Sequence, residues 1–123
     1  MYFKNNKFYV EKIEGLKIVK RYGTPTYCYS LNKLKKNIEN FQLNFKSINP
    51  LICFSVKSNN NLQILKKIRR SGMGADVVSK GEMIQALKAG ISPNKIVFSG
   101  VGKNTEELKF AIEKKILLIN AES

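Results

Sequence analysis

From residue 51 onward the chain alternates short apolar runs rich in β-formers with segments whose apolar residues recur every three or four positions. This rhythm limits the possible folds sharply. Strands joined through helices by short connections run parallel, with the helices packed outside the sheet. Runs 51–56, 75–78, 95–98 and 117–119 read as strands. Segments 62–70, 81–89 and 105–114 read as helices, the first with Leu62, Leu65 and Ile68 on one side and the last with Leu108, Ala111 and Ile112 facing inward. Ser79 and Glu82 form a capping-box pattern in which the serine accepts from the third helical amide and the glutamate reaches back. Asn104 caps the last helix. The class is α/β.

The first fifty residues are less regular. Segment 8–10 is a short strand, 16–22 a weak helix ended by Gly23 and Pro25, and 26–29 a strand of β-formers. Ser30 caps a helix whose stripe is Leu31, Leu34, Ile38, Phe41 and Phe45, ended at Asn49-Pro50. Phe41, Phe45, Phe54 and Phe98 read as core.

Composition narrows the function. At 123 residues the chain is about one domain, and 43% apolar with 25% charged residues is a soluble, globular balance. No apolar run approaches the ~20 residues of a membrane span, and nothing near Met1 has signal-peptide character, so a cytoplasmic location is expected. The formal charge of +13 raises nucleic-acid binding, but the lysines are spread along the chain without a recognised module. That charge suits attraction of small anions such as phosphates better. There is no histidine and no close cysteine pair, so no metal site is expected, and Cys28 and Cys53 read as buried free thiols.

Side chains alternate across a strand. In run 51–56 one face carries Ile52, Phe54 and Val56, and the other carries Cys53 and Ser55 and leads to Lys57. An ammonium at the mouth of a buried strand is costly to desolvate, and burial turns such an amine into a nucleophile toward carbonyl compounds. A lysine after a strand is also commonly a solvated loop residue, and spacing leaves both readings open. Gly74, Asp76 and Val78 share a face of the next strand, so Asp76 either points to the space of Lys57 or caps the following turn. Carboxyl ends of adjacent parallel strands are where α/β active sites are built. The loop Ser99-Gly100-Val101-Gly102-Lys103 has the composition of a phosphate cradle without the P-loop spacing.

Several segments together resemble one family. Phe54-Ser55-Val56-Lys57-Ser58-Asn59 resembles the pyridoxal-lysine motif of the ornithine/diaminopimelate/arginine decarboxylases, which belong to the alanine-racemase-like barrels. Tyr22-Gly23-Thr24-Pro25-Thr26-Tyr27-Cys28-Tyr29 is similar to that family's opening segment. Gly74-Ala75-Asp76-Val77-Val78-Ser79-Lys80-Gly81-Glu82 is similar to its second barrel strand and helix, Ile96-Val97-Phe98-Ser99-Gly100-Val101-Gly102-Lys103 to its third, and Leu118-Ile119-Asn120-Ala121-Glu122-Ser123 to its fourth. Serines stand at 55 and 58, where the family commonly has alanine.

The resemblance implies a partial (β/α)8 barrel: residues 31–123 its first part, and residues 1–30 an N-terminal segment associated with the family's β-domain. It implies pyridoxal 5'-phosphate as cofactor, with Lys57 as catalytic residue and covalent attachment point. Asp76 would be its neighbour, and Ser99 and Gly100 would line the mouth. The reaction implied is loss of carbon dioxide from an amino acid. The run of matches favours meso-diaminopimelate going to L-lysine, with ornithine, arginine, carboxynorspermidine or a non-catalytic barrel as alternatives. The family works as a homodimer. Its stacking histidine, glycine-rich phosphate loop, ring-nitrogen glutamate and carboxyl-terminal β-domain have no counterpart here, and a closed barrel needs about 250 residues. The expectation is therefore a piece of a longer product, inactive alone.

Overall fold

The computed structural model describes residues 1–122, which divide into two compact units, Met1–Asn40 and a second beginning at Phe41. The first opens with an antiparallel meander, β1 (Tyr2–Lys4), β2 (Lys7–Val10) and β3 (Ile13–Glu14). Asn5 and Asn6 form the two-residue turn between β1 and β2, both at positive φ (49° and 58°), the conformation that matches strand twist and suits asparagine. Across this hairpin Tyr2 stacks on Tyr9 and Phe3 tilts against Phe8, each pair 5.3 Å between centroids. Helix α1 (Gly15–Tyr22) follows directly.

Run 26–29, expected as a strand, lies outside both sheets, and Tyr27 is almost fully exposed. Its β-formers have no ladder to join, and β-propensity is realised only against a neighbouring strand. Ser30 caps α2 (Leu31–Asn44) as expected, accepting from Lys33 N–H at 3.0 Å. The same hydroxyl donates to Glu11 at 2.6 Å, and Asn32 donates to Glu11 through its backbone N–H and its side chain, at 3.1 and 2.7 Å. The Ser30 hydroxyl first, and then the Asn32 amide, hold the Glu11 carboxyl below its ordinary pKa.

The second unit is the strand–helix repeat. Strands β4 (Cys53–Ser55), β5 (Gly74–Val77), β6 (Ile96–Phe98) and β7 (Leu118–Ile119) form a parallel sheet in chain order. Helices α3 (Leu62–Arg70), α4 (Lys80–Lys88) and α5 (Thr105–Glu113) connect them. One face of the sheet is closed: Ala75, Val77, Ile96 and Phe98 are completely buried, with Leu65, Ile68, Met83, Ala86 and Ala111 of the helices. Full burial of a side chain such as Leu65 or Phe98 is worth about 1.5–3 kcal/mol.

Two expectations about this core fail. Ile112 is exposed, because Ala111 occupies the inward position of α5. Phe41 and Phe45 are also exposed and tilt against each other at 4.8 Å between centroids, while Phe54 is half-buried and only Phe98 is core. Both cysteines are free, as expected, but half-buried instead of buried.

Helix starts follow the sequence. Ser79 accepts from Glu82 N–H at 3.2 Å, but the Glu82 carboxylate reaches one residue further than the capping box predicts and accepts from Val78 N–H at 2.9 Å. The reciprocal box is at Asn104 and Glu107, at 2.9 and 3.2 Å, and Glu107 also accepts from Lys80 N–H at 2.9 Å, joining the starts of α4 and α5. These amides, that of Lys80 foremost, lower the Glu107 pKa.

Two outcomes follow from this packing. A Cβ at Gly74 would collide with the Lys95 carbonyl oxygen and stand 2.9 Å from Cys53 Sγ. Gly74→Ala therefore forces backbone apart, with an expected loss of about 1–3 kcal/mol in urea unfolding. Glu11 has a folded pKa below its unfolded value, so its contribution is complete above about pH 4.3 and disappears as pH falls through the folded value. Glu11→Gln should flatten that part of the acid-side loss in a thermal-midpoint series against pH.

Candidate functional site

The open face of the parallel sheet is defined by register. Ser55 lies opposite Asp76, Asp76 opposite Val97, and Val97 opposite Leu118, so these four form one row across the sheet. Asp76 thus points away from the helices, as one of its two sequence readings required. It does not cap the following turn: Ser79 and Glu82 do. Cys53 shares the face. Its thiol is pushed up by burial and, to a smaller degree, by the charge of Asp76, and it reaches across Gly74 of β5 toward the Lys95 carbonyl at 3.9 Å.

Ser55 Oγ and Asp76 Oδ1 are buried without a hydrogen-bond partner. Native interiors leave few such atoms, and an unsatisfied buried polar group costs about 1–3 kcal/mol. Both lie in one row on the open face, on the neighbouring strands β4 and β5.

Lys57 follows β4 within a 3-10 turn, Val56–Ser58. Ser58 Oγ donates to the Ser55 carbonyl at 2.7 Å, and Asn59 N–H donates to the Val56 carbonyl at 3.0 Å. Asn61 then caps α3 by accepting from Gln63 N–H at 2.9 Å. The turn replaces the end of the expected strand. It sinks Val56 completely and turns Lys57 out, so the lysine is exposed. Desolvation, which the sequence reading assigned to Lys57, is not supplied by the described residues. What the fold supplies is an accessible amine, on a rigid turn, at the carboxyl end of the strand beside Asp76.

Ser99 and Gly100 follow β6 at the same end of the sheet. Gly100 has φ +98°, and a Cβ there would stand 3.4 Å from Val78 Cβ. Within this loop the Gly100 N–H donates to Glu122 at 2.7 Å, and Lys103 Nζ donates to the Gly100 carbonyl. Asn120 Nδ2 donates to Ser99 Oγ at 3.0 Å. Asn120 and Glu122 were not singled out from the sequence, where only their place after a strand hinted at them. Ser123, the last residue of the fourth motif, lies outside the described residues. Among the described residues no cluster of histidine, cysteine or carboxylate groups is disposed to hold a metal, and no helix is long and apolar enough to cross a membrane.

These residues fit a pyridoxal group in chemistry: an accessible primary amine for an aldehyde after β4, and a carboxylate with an unspent buried acceptor on the neighbouring strand β5. The comparisons agree. Residues 31–123 match the family described as pyridoxal-dependent decarboxylase, pyridoxal binding domain. The chain belongs to this family of pyridoxal-dependent decarboxylases. It is 49% identical over 102 residues to the diaminopimelate decarboxylase of Helicobacter pylori strain J99, which covers 83% of this chain and 25% of that protein. Among solved structures, AQ1208 from Aquifex aeolicus superposes with a TM-score of 0.94 at 38% identity, covering 99% of this chain and 30% of that one. Diaminopimelate decarboxylase from Helicobacter pylori complexed with L-lysine superposes with a TM-score of 0.84 at 44% identity, covering 88% and 27%. The fold is thus a part of the alanine-racemase-like barrel, and the chain spans between a quarter and a third of the length of these relatives.

The thiol of Cys53 offers a check on where Asp76 points. Asp76→Asn removes the charge that helps raise the thiol, so more thiolate is present at a given pH. Iodoacetamide should alkylate Cys53 severalfold faster at pH 8 in that variant, with the rate at Cys28 unchanged.

Proposed function

We propose that the whole protein removes carbon dioxide from meso-diaminopimelate to give L-lysine, using pyridoxal 5'-phosphate held through Lys57. The observation that carries this is the placement of the Lys57 turn at the carboxyl end of β4, beside the strand bearing Asp76 with its unpartnered buried oxygen. The substrate is inferred from relatives of 38–49% identity, which are named for diaminopimelate, and from a neighbour that holds L-lysine.

In this reading residues 31–123 are the first part of the pyridoxal-binding barrel, and residues 1–30 go with the family's β-domain. Lys57 is the covalent attachment point and, once released by the incoming amine, holds or delivers a proton at its Nζ. Asp76 supplies negative charge beside that amine. Ser99 and Gly100 border the mouth. The bound cofactor supplies an electron sink for the electrons left when the carboxylate departs. The glycine-rich phosphate loop and ring-nitrogen carboxylate of the family are contributed from outside these residues, so the 123-residue chain alone does not turn over. The whole protein is a homodimer working in the cytoplasm.

The test uses protein from the full reading frame with pyridoxal phosphate and carboxyl-labelled meso-diaminopimelate, measuring labelled carbon dioxide and L-lysine together. Lys57→Ala should lose the visible absorbance band that borohydride removes. Its turnover should fall by at least the ~10²–10⁴ of a lost proton-transfer group. Release from labelled ornithine or arginine in place of diaminopimelate would refute the substrate, and a band that survives Lys57→Ala would refute the attachment point.

A further inference from the structure

Beyond β6 and β7 the sheet continues as a set of ties that the proposed chemistry leaves unused. The Ser99 amide donates to the Val77 carbonyl, and the Asn120 amide to the Phe98 carbonyl, each at 2.9 Å, so the ladder runs one residue past each strand. The side chains then reach back. Asn120 Nδ2 donates to Ser99 Oγ at 3.0 Å, and Glu122 Oε1 accepts from Gly100 N–H at 2.7 Å. Lys103 Nζ donates to the Gly100 carbonyl, so both polar groups of that glycine are held by side chains of opposite charge.

The polarity of these bonds matters. A serine hydroxyl that accepts from an amide keeps its own hydrogen for another acceptor. Asn120 therefore leaves Ser99 as a donor. Glu122 takes the Gly100 amide, so at this point of the loop the group left to meet a ligand is the Ser99 hydroxyl. Gly100 sits here with a positive φ (+98°), a backbone conformation that L side chains rarely adopt.

We propose that Asn120 and Glu122 are positioning residues for the cofactor site. Asn120 sets the Ser99 hydroxyl as a hydrogen-bond donor toward an oxygen of the bound pyridoxal phosphate, and Glu122 holds Gly100 so that the hydroxyl stays at the rim. This rests on the reading of Lys57 as the attachment point. The distinctive requirement is the direction of the Ser99–Asn120 bond: an aspartate at 120 accepts only, and takes up the serine hydrogen that the cofactor would receive.

Protein from the full reading frame is compared with its Glu122→Ala, Glu122→Gln and Asn120→Asp forms. Pyridoxal phosphate uptake is followed by the visible band, and amide hydrogen exchange is followed in a peptide spanning Gly100. Glu122→Ala should speed exchange there and weaken cofactor uptake about tenfold or more, the scale of a lost charge-assisted hydrogen bond. Glu122→Gln, whose amide oxygen still accepts, should restore much of both. Asn120→Asp should weaken uptake with exchange at Gly100 unaltered. Unchanged exchange in Glu122→Ala would show that the clamp does not exist. Faster exchange with equal cofactor uptake in all forms would make the ties purely structural and overturn the proposal. Absence of a borohydride-sensitive band in the parent would instead condemn the Lys57 reading, and this proposal with it.

Discussion

Parallel hydrogen bonding from β4 to β7 sets where every functional group stands. Ala75, Val77, Ile96 and Phe98 face the helices, where all four are completely buried with Leu65, Ile68 and Met83. Once they do, Ser55 and Asp76 have no choice of side. A slip of one residue would carry the carboxylate into the helical layer and expose the apolar set, which couples the polar row to the stability of the core. Polar groups on the open face therefore need no positioning of their own along the strand. Burial on the opposite face does it for them.

Beyond the strand ends that discipline stops, and side-chain hydrogen bonds take over. Glu82 holds Val78, Glu107 links Lys80 to Asn104, and Asn120 and Glu122 hold Ser99 and Gly100. Several are carboxylates accepting from backbone amides, which are among the stronger hydrogen bonds available. In a chain of 22 basic and nine acidic residues, Glu11, Glu82, Glu107 and Glu122 accept from main-chain donors at strand and helix ends. The surplus positive charge is left to solvent and to anionic small molecules.

Much of this architecture was readable from residue types. The helix over 62–70 matches α3 residue for residue, and the four strands of the parallel sheet were located to within two residues, because apolar periodicity and the caps Ser79 and Asn104 agree there. Asp76 was legible as one of two outcomes, and register selects between them. The meander was half hidden: Phe8 to Val10 was visible as a strand, but Asn5-Asn6 is a positive-φ turn that an unremarkable polar stretch conceals. Segment 26–29 shows the opposite error, where strand-forming residues have no partner. Phe41 and Phe45 were placed in the core by periodicity alone, which says which side of a helix is apolar and not whether anything covers it. Asn120 and Glu122 lay inside a quoted motif, but their ties to Ser99 and Gly100, more than twenty residues earlier, had no signal beyond a place after a strand.

The 3-10 turn after β4 has a further consequence. Val56, wholly enclosed, is the residue immediately before Lys57, so the lysine's main chain inherits the stiffness of the interior while its amine remains in the open. Any travel of that nitrogen, toward or away from a bound partner, is confined to four methylenes rotating about a stationary root. An amine carried this way needs no hinge in the polypeptide to move. Its sweep is set by side-chain torsions, and a cavity left at position 56 would loosen its root without altering a single atom of its chemistry.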